Sequence, residues 1–165
     1  MIALLPDRDD AAMLAHPAGD DPAGLHVTLA YLGDDVTRWP APAHQAVREV
    51  AQHLMTGNLP VPMYGRAFAH ATFNPDHGPD GDRDPCAVYL IGDTPHLPLL
   101  RDRVLGLAGA YLASAGVTLP EQHEPFVPHL TAGYGLTAGS LSYTGPVRFD
   151  RLVLALGPDW VEVTP

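Results

Sequence analysis

Two stretches decide how this chain is read: Leu25-His26-Val27-Thr28-Leu29-Ala30-Tyr31-Leu32-Gly33 and Pro128-His129-Leu130-Thr131-Ala132-Gly133-Tyr134-Gly135. Both carry H-x-T-x-x-Y with a glycine close behind. Strands are expected over Leu25 to Leu32 and over Phe126 to Tyr134. Successive side chains of a strand point to opposite faces. His26 and Thr28 therefore share one face, while Val27, Leu29 and Tyr31 are expected in a core; His129 and Thr131 stand likewise against Leu130 and Ala132. Nine histidines and thirteen Ser or Thr supply roughly 0.7 H-x-S/T matches by chance. A single match thus carries little, and the doubled, extended pattern carries the reading. A third match, His70-Ala71-Thr72, runs into Phe73-Asn74-Pro75 without the Tyr and Gly. It reads as a chance match or as a residue of a groove wall.

Around these motifs the chain falls into two similar halves. Met1 to Pro6 reads as a short buried strand, and residues 7–24 as a helical turn or two followed by a Pro/Gly/Asp loop. Pro42 opens a helix with Ala43, Val47, Val50, Ala51 and Leu54 on one stripe, and Gly57 ends it. Residues 59–73 read as extended, 74–85 as a polar excursion, and Ala87 to Ile91 as a strand. A second helix is expected from Leu97 to Ala115, stopped by Gly116. Gly106 and Gly109 inside it each cost about 1 kcal/mol relative to Ala, and close packing against a neighbour is the expected compensation. The tail reads as a hairpin, Val147–Leu156 and Trp160–Val163, turned at Gly157-Pro158-Asp159. The fold class is α+β.

Composition bounds the function. At 165 residues and 17.6 kDa the chain fits one domain, 1–165, of two lobes sharing a core. No run approaches the ~18 apolar residues of a membrane span, and the start has no positive n-region, so no membrane association or signal peptide is expected. Cys86 is the only cysteine, which rules out an intramolecular disulfide and points to a cytoplasmic protein with a buried structural thiol. Nineteen acids against nine bases give a net charge of −10. An extended duplex nucleic acid, whose phosphates need many cations, is a poor partner for such a surface. A small nucleotide, a cyclic nucleotide or an RNA end in a local pocket is compatible, and a monomer is expected. Every base is Arg, so lysyl-AMP, Schiff-base and Walker-lysine chemistries are excluded.

The residue types of the motifs fit phosphodiester hydrolysis. One group must deprotonate water and another must protonate the leaving oxygen; histidine serves either role near neutrality. Two histidines on opposite sides of phosphorus suit in-line attack. Thr28 and Thr131, on the same faces as their histidines, are the phosphate-binding candidates, able to hydrogen-bond the non-bridging oxygens. No Asp, Glu or Cys lies within the motifs to complete a metal shell, so neither metal nor cofactor is expected. Asp80, Asp82 and Asp84 form a D-x-D-x-D run, but Pro85 and Ile91 occupy the positions where a calcium loop needs Gly and Glu. No serine lies in G-x-S-x-G, and no Gly-rich dinucleotide fingerprint follows a strand. Arg66, His70, Phe126 and Arg148 are the further candidates for the groove wall. The two arginines read either as phosphate contacts or as surface partners of acids, and Phe126, with Phe73 and Tyr143, as base-stacking or core residues.

The paired motifs, their placement in two halves and the chain length resemble the 2H phosphoesterase superfamily, which includes 2′-5′ RNA ligase-like proteins and RNA 2′,3′-cyclic phosphodiesterases. Leu25 to Gly33 resembles an actinobacterial and phage subgroup within it. The resemblance covers Met1 to about Val163. It implies a bilobal pseudo-twofold fold, two antiparallel sheets lining a central groove with helices outside. It also implies metal-independent cleavage of a nucleotide 2′,3′-cyclic phosphate or a 2′-5′ linkage, with cyclic oligonucleotide signals as a further substrate class. Two positions depart from the pattern. Ala132-Gly133 stands where relatives carry a bulkier aliphatic residue, and Tyr134 where RNA ligase-like members often carry Arg; both favour a small nucleotide over tRNA halves. The alternative from another class is a non-catalytic nucleotide-binding or sensor module using the same groove.

Overall fold

The computed structural model describes residues 1–56, 62–75, 84–157 and 159–163. Gly57, Asp80, Asp82 and Pro158, invoked above as helix stop, acidic run and hairpin turn, lie outside them. The first strand, β1 (Ile2–Pro6), is apolar at consecutive positions and is buried on both sides. Ile2 and Leu4 enter the main core, whereas Ala3 and Leu5 pack with Val153 on the opposite face. Asp7 then caps a short helix, α1 (Arg8–Leu14), by accepting from the Asp9 and Asp10 N–H groups. The strand of the first motif, β2 (Val27–Ala30), returns antiparallel to β1 with Thr28 opposite Ala3 and Val27 opposite Leu4.

Helix α2 (Ala41–Thr56) buries Ala43, Val47, Val50 and Leu54, as its periodicity requires. Strand β3 (Met63–Phe73) pairs with β4 (Cys86–Gly92), and β4 with β5 (His129–Tyr134), the strand of the second motif. Helix α3 (His96–Ser114) lies between β4 and β5 in sequence and packs on α2 and β2. It ends in a Schellman motif: Gly116 has φ +75°, the Gly116 N–H donates to Ala113 O and the Val117 N–H to Leu112 O. The two glycines inside α3 have no packing reason. A β-carbon on Gly106 or Gly109 would meet nothing within 4 Å, so the expected close approach is absent and nothing in the structure explains them.

The chain closes with β6 (Gly145–Leu156) and β7 (Asp159–Val163). The hydrogen-bonded order is β2-β1-β6-β3-β4-β5, with β7 on β6 and every pair antiparallel. That order maps onto itself when β1, β2 and β3 exchange with β4, β5 and β6. The two expected sheets are thus the two ends of one continuous network. Strands β3 and β6, of 11 and 12 residues, are long enough to join them: Met63–Ala67 pairs with Gly145–Phe149, while the remainder of β3 pairs with β4 and that of β6 with β1. The motif strands β2 and β5 are the two ends of this path, and they meet each other. No helix among the described residues is long and apolar enough to cross a membrane.

Candidate functional site

Alternation in the motif strands is as expected where it matters. Val27 and Leu29 are buried while His26 and Thr28 are half-exposed, and Leu130 and Ala132 are buried while His129 and Thr131 are half-exposed. The regular strands are shorter than the sequence suggested, so His26 stands one residue before β2, and Phe126 to Pro128 form an irregular approach to β5. Tyr31 is not a core residue. It is half-exposed, beyond the end of β2, and its hydroxyl donates to Asp34.

Both histidines are held in the same way. His26 Nδ1–H donates to the Gly24 carbonyl at 2.6 Å, and His129 Nδ1–H donates to the Val127 carbonyl at 2.7 Å. In each case the acceptor lies two residues upstream. A carbonyl oxygen can only accept, so the proton is placed on Nδ1 and the neutral ring presents a bare Nε2. Burial lowers the pKa of His26 below its ordinary value of 6.5; the charge of nearby His129 lowers it further, against the opposing pull of the Gly24 hydrogen bond and Asp20. The Trp160 ring meets the His26 ring at 5.9 Å between centroids, with the two planes inclined by 76°.

A cavity of about 660 Å³ opens between the motif strands. Thr28, His129 and Thr131 line it; His26 stands beside Thr28, outside the lining. Phe73 forms another wall, edge-on to His129 at 4.8 Å. Cys86 contributes an apolar surface, its thiol pushed up by burial and so kept protonated. Among the described residues no three His, Cys, Asp or Glu side chains converge into a cluster able to hold a metal ion.

Of the further wall candidates, only Phe126 lines this cavity. Arg148 is exposed and ion-paired with Asp7 at 3.0 Å, while its backbone N–H donates to Asp10, so it serves the start of α1. Arg66 is exposed in the central pairing of β3 with β6, opposite Gly92 and Pro146. His70 shares a cross-strand row with Tyr89 and Leu130, one residue out of step with His129. Adjacent rows face opposite sides of a sheet, so His70 turns away from the site, where it bonds the Tyr143 carbonyl and meets the edge of Tyr89.

Two residues that the sequence reading passed over complete the site. Arg101 on α3 is only 7 % exposed yet reaches the cavity. Its spacing from Leu97, Val104 and Ala108 places it on the buried stripe of the helix, a signal present in the sequence. Gln122 lies in the approach to β5 and bonds both main-chain groups of Tyr31.

Neither a family model nor a curated protein shows a significant match to this sequence. Solved structures do match in fold. A phosphoesterase structure aligns with a TM-score of 0.52 at 13 % identity, covering 99 % of this chain and 93 % of that one. LigT from E. coli, complexed with 3′-AMP, aligns with a TM-score of 0.55 at 15 % identity, covering 99 % of this chain and 92 % of its own. The α+β fold is thus one that this chain shares with both structures over nearly its whole length.

Proposed function

We propose that the chain is a metal-independent phosphodiesterase acting on a small nucleotide substrate, a 2′,3′-cyclic phosphate or a 2′-5′ phosphodiester, cyclic oligonucleotide signals included. The observation that carries this reading is the matched pair of histidines, each with Nδ1–H on a carbonyl and Nε2 free: His129 lines a cavity together with Thr28 and Thr131, and His26 stands two residues before Thr28. The fold shared with a phosphoesterase and with nucleotide-bound LigT supports it, and about 660 Å³ suits a mononucleotide or a short oligonucleotide end.

In this mechanism the phosphate lies between the two imidazoles. His26, held neutral by its lowered pKa, takes a proton from water through Nε2. The water oxygen bonds to phosphorus, and the bond from phosphorus to the ribose 2′ or 3′ oxygen breaks in line. His129, protonated, donates a proton to that leaving oxygen. Thr28 and Thr131 hydroxyls bond the non-bridging oxygens, where negative charge is concentrated. Proton transfer in two directions needs no Lewis acid.

The test is a turnover panel in EDTA over 2′,3′-cyclic mononucleotides, 2′-5′ and 3′-5′ dinucleotides, and cyclic di- and trinucleotides. The expected outcome is cleavage of one class by wild type and its loss in His26→Ala and His129→Ala. Full activity in His129→Ala overturns the mechanism. Tight binding of an intact nucleotide without turnover overturns the enzymatic reading in favour of a sensor.

A further inference from the structure

We propose that Arg101 and Gln122 are positioning residues, which clamp residues 122–127 so that the Val127 carbonyl aims His129; the proposal rests on the role given above to His129. The segment has no regular secondary structure, yet it carries the acceptor that engages His129 Nδ1–H and so leaves Nε2 as the nitrogen that exchanges a proton with the substrate. An irregular stretch can hold a carbonyl in one direction only if its neighbours fix it. At one end, Gln122 Oε1 accepts from the Tyr31 N–H at 2.8 Å, and Gln122 Nε2 donates to Tyr31 O at 3.0 Å and to Pro120 O at 2.7 Å. One side-chain amide thus satisfies both main-chain groups of the residue that ends the first motif, as a neighbouring strand would.

Further along, Arg101 holds the segment at three points. Its guanidinium donates to the His123 carbonyl at 3.2 Å, pairs with the Glu124 carboxylate at 2.7 Å, and lies 4.5 Å from the centroid of the Phe126 ring. A planar fork can make all three contacts from one position, which an ammonium cannot. The charge is buried while its carboxylate is largely exposed: the side chains are 8 % and 63 % accessible. The helix therefore keeps a desolvated cation where the same surface would pack with a Leu or Met, a cost that positional work on the segment accounts for. Val127, the next residue after the Phe126 contact, then presents its carbonyl to His129 Nδ1.

The experiment reads the tautomer directly. Two-bond ¹⁵N–¹H NMR correlations of the histidine rings, at a pH where they are neutral, are compared for wild type, Arg101→Met and Gln122→Ala. In wild type both His26 and His129 are expected as Nδ1–H tautomers. In either variant His129 is expected to become a mixture while His26 stays unchanged, and kcat on the substrate found above falls between about tenfold and about a hundredfold. Arg101→Lys is expected not to restore kcat. An unaltered His129 tautomer in both variants overturns the proposal, as does an equal change at His26, which signals general loosening. The NMR readout needs no substrate, so it separates failure of this proposal from failure of the phosphodiesterase reading. The second variant covers the case in which the first does not fold.

Discussion

Gly19 lies on Gly133 so closely that neither position has room for a side chain. A β-carbon on Gly19 would stand 2.1 Å from the Ala132 carbonyl oxygen, and one on Gly133 would stand 2.6 Å from Gly19 Cα. This explains the departure at the second motif, where a bulkier residue is expected: the outer edge of β5 is covered by the loop after α1, whose Asp20 N–H donates to Ala132 O. The same loop ends at Gly24, the acceptor for His26. The segment that aims the first histidine therefore rests on the strand of the second. The segment that aims the second is bonded to Tyr31 of the first.

Gly133→Ala is accordingly expected to do more than destabilise. Backbone must move, at about 1–3 kcal/mol, visible as a lowered thermal midpoint. Because the displaced loop carries Gly24, kcat should drop as well, through His26, although residue 133 makes no contact with that ring. A variant with lowered midpoint and unchanged kcat shows that the loop and the first motif are mechanically independent.

The pH dependence has a definite sign. His26 has a folded-state pKa below 6.5, lowered chiefly by burial, so the unfolded chain binds its proton first as pH falls. Stability from this group is complete above 6.5 and is lost as pH falls through the folded value. Urea midpoints for wild type should decline across that interval, and His26→Asn should remove its part of the slope. If His26 is the base, the acidic limb of kcat/KM inflects below 6.5. An inflection above 6.5 assigns the base elsewhere.

Trp160 supplies part of the cover over His26. Trp160→Ala should admit water to the ring and move the acidic inflection of kcat/KM upward toward 6.5, with the alkaline limb left in place. An unmoved acidic limb shows that the burial comes from the strands alone.

Thr131→Val keeps the shape of the cavity wall and removes one hydroxyl. If that hydroxyl serves the transition state, kcat falls on the order of a hundredfold while KM changes little. A rise in KM with unchanged kcat places Thr131 in ground-state binding instead.

Gly106→Ala and Gly109→Ala offer a check on the helix itself. Each site is open, so each substitution should stabilise by about 1 kcal/mol and leave turnover alone. Destabilisation by either reveals a contact on α3 that the isolated chain lacks.

Much of the architecture was legible because its signals are local. Helices at Ala41–Thr56 and His96–Ser114 follow apolar periods, the second stopped at Gly116, and the motif strands follow alternation. What was not legible is non-local. His70 looks equivalent to His26 in sequence, but its partners Tyr89 and Leu130 place it in a row on the opposite face from His129, past a register shift between Ala67 and Ala69. Arg148 is claimed by Asp7 from the other end of the chain. Tyr31 continues the alternation of its strand, yet the strand stops at Ala30. Arg101 could have been found, since a cation on an apolar stripe requires a partner; its partners in residues 123–126 could not.

The order β2-β1-β6-β3-β4-β5 also has a mechanical consequence. The two motif strands are as far apart along the hydrogen-bonded path as any strands in it, and the β3–β6 ladder is its midpoint. A small change of twist at that ladder is multiplied by the arms on either side before it reaches the imidazoles, as at the tips of a pair of tongs. The two crossing segments span the open end of those arms. Together with the direct meeting of β2 and β5 they close the frame, so that the spacing of the two catalytic candidates depends on short ties at the mouth as well as on the sheet that carries them.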